Sequence, residues 1–87
     1  MARTWANELA PRRIRVNAIS PGVIYTPAYE NAGWSREQAE QVVPLIPAGR
    51  LGLEAEAGAA IAFLASDDAS FVNGTTLVVD GGQTGVV

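Results

Sequence analysis

Eighty-seven residues suffice for one small domain, and a chain of this length buries only about 60–65% of the surface it exposes when unfolded. At 48% hydrophobic and 17% charged it can form a core, while a net charge of −3, with six arginines as its only basic residues, speaks against a nucleic-acid face. Lysine, histidine and cysteine are all absent, which removes amine bases, imidazole and thiolate chemistry and fits a reducing, cytoplasmic setting.

Ala2, Trp5, Ala6 and Leu9 recur at helical spacing, and Pro11 is expected to stop that helix. The pattern starts at Met1 with no N-cap residue before it, as the back end of a longer helix would. The arginines at 12, 13 and 15 follow as a solvated cluster that complements the helix dipole. Ile14 to Ser20 is β-branched at Ile14, Val16 and Ile19 and is bounded by Pro21-Gly22, so it reads as a strand. Residues 27–50 hold three prolines and two glycines and read as a connection with little core character. Within it Ser35-Arg36-Glu37-Gln38 is a capping box, with Trp34 placed to staple onto Ala39, and a short helix from Arg36 to Val43 ends at Pro44. A connection this long is more often a functional flap than a plain loop.

Glu54 to Ser66 is the strongest helix signal. Two glutamates favour its first turn, and Ala57, Ala60, Ile61, Phe63 and Leu64 give a broad apolar face. The Asp67-Asp68-Ala69-Ser70 stretch closes it, and the chain turns at 71–74. Thr75 to Val79 is then a nearly continuous apolar strand, of the kind buried on both faces of a parallel sheet. Two parallel strands alone leave faces and outer edges open, so the pattern implies neighbours: other copies of the chain, or earlier parts of a longer one. The longest weakly polar run, Ala57 to Ala65, is too short to cross a bilayer, and Met1-Ala2-Arg3 leads into a helix without the layout of a signal peptide.

Ligands of open parallel sheets sit beyond the carboxyl ends of the strands. Pro21-Gly22 occupies that place: the proline fixes the turn, the glycine lets a ligand approach the backbone, and Thr26 offers a hydroxyl nearby. An ordinary strand-end turn explains the same residues. The Asp80-Gly81-Gly82-Gln83-Thr84-Gly85 stretch has the glycines of a phosphate loop but no helix to open, so a flexible tail with a tight turn is expected. Asp67-Asp68 lacks a third ligand for a metal. The serines have no base to activate them, and Tyr25 and Tyr29 have no lysine partner, so no catalytic residue is assigned. Tyr25, Tyr29 and Trp34 suit either an apolar pocket or a cover over the sheet end.

In order along the chain, Trp5-Ala6-Asn7-Glu8-Leu9-Ala10-Pro11, Ile14-Arg15-Val16-Asn17-Ala18-Ile19-Ser20-Pro21-Gly22 with Thr26, and Ile46-Pro47-Ala48-Gly49-Arg50-Leu51-Gly52 are joined by two later stretches. These are the run from Ile61 to Gly74 and Leu77-Val78-Val79-Asp80-Gly81-Gly82. The ordered set resembles the C-terminal part of the classical short-chain dehydrogenase/reductase family. The resemblance implies an α/β fold, the last portion of a doubly wound Rossmann-type parallel sheet, with residues 1–87 one incomplete fragment of that domain. It implies NAD or NADP as cofactor and hydride transfer to or from an alcohol or ketone. Pro21, Gly22, Val23 and Ile24 would meet the nicotinamide, with backbone groups of Val23 or Ile24 at its carboxamide, and Thr26 would bind the carboxamide or pyrophosphate. Residues 27–50 would be the substrate-covering flap, while 54–66 and 75–79 would form a homo-oligomer interface. The family's glycine-rich loop and its catalytic serine, tyrosine and lysine have no counterpart in these residues. The chain alone is therefore expected to be inactive, and a non-catalytic α/β module that self-associates is the alternative.

Overall fold

A computed structural model describes residues 1–86. The elements are α1 (Ala2–Leu9), β1 (Ala18–Pro21), α2 (Pro27–Asn31), α3 (Arg36–Glu40), α4 (Glu54–Ala65) and β2 (Thr76–Val79). Short 3-10 turns lie at Ala10–Arg12, Val43–Leu45, Asp67–Ala69 and Gln83–Val86. The two strands pair in parallel, from Ala18 opposite Thr76 to Pro21 opposite Val79. The expected α/β class with a small parallel sheet is what the chain forms.

Several boundaries move, each for a local reason. β1 begins at Ala18 rather than Ile14. Ahead of it the regular ladder is broken: the Val16 N–H donates to the Asn73 side-chain Oδ1 (3.0 Å), while the Val16 carbonyl accepts from the Gly74 N–H (2.8 Å). Pro11 does not stop the first helix outright. It sits at the start of the Ala10–Arg12 turn, where a missing N–H costs nothing, and the reversal comes at Arg13 in the left-handed region (φ 59°). The capping box forms as expected, Gln38 N–H to Ser35 Oγ (3.2 Å) and Ser35 N–H to Gln38 Oε1 (2.8 Å). α3 nevertheless ends at Glu40, and Pro44 falls inside the next 3-10 turn. Trp34, expected as a staple, is half-exposed and lines the groove described below.

The core lies where little was expected. Ala39, Ile46 and Leu51 form the buried cluster, with Val23, Tyr25, Val42 and Val43 packed against it. Residues 27–50 thus supply two of the three buried members of that cluster, Ala39 from α3 and Ile46, and Ile46 and Pro47 lie against Gly81 and Gly82 just beyond β2. α4 buries no residue, and its Ile61 and Phe63 are 54% and 44% exposed; Val78 of β2 is 49% exposed. Its apolar positions surround the helix, so one face cannot hide them all. The chain exposes 6234 Å², against about 4900 Å² for a folded monomer of its mass. Its radius of gyration is 15.5 Å, against about 12 Å for a compact chain of this length. Both values describe an open fold with faces that lack neighbours.

Two further expectations are corrected. Arg15 does not join a solvated cluster: its guanidinium donates to the carbonyls of Leu64 (2.9 Å), Val72 (3.2 Å) and Ser66 (3.3 Å). It satisfies the C-terminal end of α4, not of α1. The Asp80 turn is not a loose tail either. The Asp80 carboxylate accepts from the N–H of Gly82 (2.9 Å) and of Thr84 (3.0 Å), capping the Gln83–Val86 turn, and its pKa is lowered by those amides. The Ala48 N–H donates to the Gly81 carbonyl (3.0 Å), which ties the turn to the 27–50 segment.

Candidate functional site

At the carboxyl end of β1 the chain leaves the sheet through Pro21 and Gly22. The Gly22 N–H still donates to the Val79 carbonyl (3.0 Å), so the strand ends stay joined. A Cβ at Gly22 would lie 2.6 Å from Asp80 Cβ and 2.9 Å from Asp80 Cα. The glycine is therefore required first by the close approach of the two strand ends, in addition to any opening it leaves toward a ligand.

Beyond Gly22 a single parallel bridge joins Ile24 to Gly52. The Gly52 N–H donates to the Val23 carbonyl (3.0 Å), and the Tyr25 N–H donates to the Gly52 carbonyl (3.2 Å). In a parallel ladder the residue between two such bonds turns its own N–H and C=O to the opposite side. Ile24 thus presents one donor and one acceptor away from Gly52, with no protein partner for either among the described residues. Val23 is spent on packing: its side chain lies against the core cluster and its carbonyl is taken.

Thr26 follows at the N-cap of α2 with extended backbone (φ −136°, ψ 161°), yet its side chain makes no capping bond. A threonine at that position ordinarily accepts from the helix amides. Its hydroxyl is left free for another partner, two residues from the unspent groups of Ile24.

Pro21, Gly22, Ile24 and Thr26 line one open groove of about 910 Å³, together with Tyr29 and Trp34 from the flap side and Glu54, Ala57 and Ile61 from α4. Of the five residues expected at a cofactor, four share this groove and Val23 does not. Of the three aromatics, Tyr29 and Trp34 line it, whereas Tyr25 packs on the core. Tyr25 stacks on Tyr29 (centroids 6.0 Å apart, planes at 7°) and lies under the Arg36 guanidinium (5.1 Å). Its hydroxyl donates to Glu30 Oε1 (2.6 Å), and that bond, desolvation and the nearby carboxylate raise its pKa. Below the groove Arg50 grips Glu56 through two 2.8 Å bonds; with the Leu53 N–H, this holds the Glu56 carboxyl down at about 2.

Chemically, the strand-end side offers an amide donor, an amide acceptor and a hydroxyl, a set suited to a carboxamide. It offers no proton-transfer pair. Among the described residues no cluster of three or more acidic, histidine or cysteine side chains could hold a metal. Sequence reasoning missed the α4 contribution, because Glu54, Ala57 and Ile61 read as a helix start and a core face.

A short-chain dehydrogenase family model, described as enoyl-(acyl carrier protein) reductase, matches residues 1–84. The chain belongs to the short-chain dehydrogenase/reductase family. It is 46% identical over 82 residues to the 3-oxoacyl-[acyl-carrier-protein] reductase of Thermotoga maritima, a match that covers 94% of this chain and 32% of that protein. It is 48% identical over 84 residues to 3beta-hydroxysteroid dehydrogenase 1 of Eggerthella lenta, covering 97% and 32%. The chain spans about a third of the length of these relatives. Among solved structures, a 4-hydroxyisoleucine dehydrogenase mutant complexed with NADH and succinate superposes with a TM-score of 0.83 at 34% identity, over 97% of this chain and 35% of that one. A structure from Agrobacterium tumefaciens with bound NADP gives 0.84 at 38% identity, over 97% and 34%. The α/β arrangement described above is thus a partial Rossmann-type short-chain dehydrogenase fold.

Proposed function

We propose that these residues are the C-terminal portion of an NAD(P)-dependent oxidoreductase domain, contributing the nicotinamide-side loop, the substrate-covering flap over 27–50 and elements of an oligomer interface. The observation that carries this reading is the outward pair on Ile24: one free N–H and one free C=O just beyond a strand end, beside the uncapped Thr26 hydroxyl. In the whole enzyme the nicotinamide supplies or accepts the hydride exchanged with an alcohol or carbonyl carbon. Ile24 would hold the carboxamide by both backbone groups, Thr26 would bind the carboxamide or pyrophosphate, Pro21 and Gly22 would shape the floor, and Val23 would act from behind by packing. Neighbours of known structure carry NADH in one case and NADP in the other, so either cofactor fits. A cytoplasmic location suits a nicotinamide cofactor, and no helix among the described residues is long and apolar enough to cross a membrane. Because the chain has no lysine to work with a tyrosine, these residues alone are expected to show no turnover.

Titration of NADH and NADPH against a complete enzyme that carries these residues, and against its Thr26→Ala and Thr26→Ser variants, tests the reading. A hydroxyl bond is worth about 0.5–1.5 kcal/mol, rising to roughly 3 kcal/mol with a charged phosphate. Thr26→Ala should weaken binding by about threefold to a hundredfold, and Thr26→Ser should retain most of it. Equal binding by Thr26→Ala would remove Thr26 from the cofactor.

A second reading, a non-catalytic module that persists by self-association, is favoured by the exposed Ile61, Phe63 and Val78 on α4 and β2. Light scattering across concentrations decides it: concentration-dependent assembly without nicotinamide binding supports the module, and a compact monomer opposes it.

A further inference from the structure

We infer that Arg50 and Glu56 are positioning residues for the nicotinamide: together they fix the two peptides that flank Gly52, and through them the outward pair on Ile24. This rests on the cofactor reading above and adds to it two residues that do not line the groove themselves.

Gly52 is bonded to the strand-end loop through both of its peptides. In the Leu51–Gly52 peptide the N–H donates to the Val23 carbonyl (3.0 Å), and in the Gly52–Leu53 peptide the C=O accepts from the Tyr25 N–H (3.2 Å). Peptide units are planar and trans, so the N–H and C=O of each point in opposite directions. The far ends of these two peptides are the Leu51 carbonyl and the Leu53 N–H. The ion pair takes both: Arg50 Nη1 donates to the Leu51 carbonyl (3.1 Å), and Glu56 Oε1 accepts from the Leu53 N–H (2.9 Å). Arg50 and Glu56 are joined to each other by two bonds of 2.8 Å. Each peptide is thus pinned at both ends, one toward Ile24 and one toward the pair.

The residue at the centre makes this pinning matter. Glycine has the widest backbone freedom of any residue, and Gly52 lies outside the helices and the two strands. A tilt of either peptide would carry the bonded Val23–Tyr25 backbone, and Ile24 within it. A bulkier residue could not stiffen the position, because its Cβ would meet Ile24 Cγ1 at 3.0 Å. Rigidity has to come from bonded partners.

Helix capping explains only part of the arrangement. Glu56 stands at the third position of α4 and reaches back to the N–H of the N-cap residue, as in a capping box. Leu53 has no side-chain acceptor to complete such a box, and a cap requires neither Arg50 nor the Leu51 carbonyl. Both side chains are about half-exposed, and ion pairs so placed contribute only modestly to stability. What the bonds accomplish together is the orientation of two peptides.

The test uses a complete enzyme that carries these residues. NADH and NADPH are the full ligands; ADP-ribose and its 2′-phosphate are the matched probes that lack the nicotinamide. Glu56→Ala should weaken the dinucleotide by about threefold to tenfold, the loss of roughly one neutral hydrogen bond, and the matched probe by less than about twofold. Glu56→Gln keeps an oxygen for the Leu53 N–H and should recover most of the difference. Arg50→Ala, which leaves the Glu56 cap in place and frees the Leu51 carbonyl, should show the same selective loss. Retained binding of the matched probe certifies that each variant is folded. Equal weakening of both ligands, as a merely structural role would give, overturns the inference, and so does unchanged dinucleotide binding in Glu56→Ala and Arg50→Ala. If the parent enzyme holds the dinucleotide no tighter than the matched probe, the cofactor reading of this loop falls and the inference with it. If the parent does hold it tighter and the variants keep that margin, the cofactor reading survives and the positioning role alone is lost.

Discussion

Two glycines in this chain should respond to alanine with opposite sign, and the contrast isolates what holds the site in place. At Gly22 an added Cβ would sit 2.6 Å from Asp80 Cβ and 2.9 Å from the Asp80 backbone, roughly 1 Å inside normal contact. The obstacle is a strand end, not a flexible side-chain tip, so β1 and β2 must part. Overpacking of this kind costs about 1–3 kcal/mol. Restricting the unfolded chain returns about 0.4–1 kcal/mol, which leaves a net loss of about 1.3 kcal/mol at the middle of both ranges. Gly58, within α4, has nothing within 4 Å of its added Cβ. Gly58→Ala should therefore stabilise by about 0.8–1 kcal/mol through helix propensity alone. Urea unfolding followed at 222 nm measures both, and amide exchange at Gly22 locates the first, because its bond to Val79 would lengthen. If Gly22→Ala proves as stable as the parent, the strand ends are not in contact as described, and the placement of Ile24 beyond them loses its support.

The side-chain clasp ahead of β1 gives a second prediction. Asn17 donates to the Val72 carbonyl (2.9 Å) and accepts from the Thr75 N–H (3.0 Å). Asn17→Ala should cost about 1–3 kcal/mol, chiefly by leaving the Thr75 N–H without a partner, since the Val72 carbonyl still accepts from Arg15, with faster exchange at the Thr75 amide as its signature; unchanged exchange there would refute it. The third concerns pH. Glu56 has a folded-state pKa of about 2, below its ordinary value of 4.5, so its contribution to stability is present above pH 4.5 and is lost as pH falls toward 2. The thermal midpoint should drop through that window, and by less in Arg50→Gln, where the guanidinium that lowers the pKa is gone; an equal drop in both would show that the pair is not formed.

How far the sequence spoke for itself follows from which forces act locally. The Ser35 capping box and the α4 helix were legible because cap and dipole signals lie within a few residues of one another. The parallel pairing was legible from an apolar strand run and the helix before it. Ile14 and Val16 had the composition of a strand, but Asn73 and Gly74, nearly sixty residues away, bond to Val16 in place of a neighbouring strand. Asn17 is the residue that could have warned of this, since an amide within a β-branched run usually serves its side chain rather than the sheet. Proline and glycine made 27–50 look like loop, yet Ile46 and Ala39 bury there, because the β2 end and its Asp80 turn offer them a surface no local pattern reveals.

The site divides in the same way. Gly22 was legible as special, but its first reason, the approach of Asp80, is a distance between residues 58 apart in sequence and has no local signature. The choice between Val23 and Ile24 could not be made from sequence, since both are β-branched and adjacent. It is made by Gly52, whose two bonds fix which carbonyl is consumed and which residue faces out. The site therefore has two owners. β1 delivers Ile24 and Thr26 to the groove, while the Arg50–Glu56 grip and the Ile46 core hold Gly52 where it can orient them. A substitution at Gly52 would reach the groove without lining the proposed carboxamide position itself: its added Cβ would press on Ile24 Cγ1 at 3.0 Å and turn that residue's free N–H and C=O from their setting. Such a change should weaken nicotinamide binding with little loss of helix content. A paired Thr26→Ala variant would then show whether the backbone pair or the hydroxyl carries the larger share.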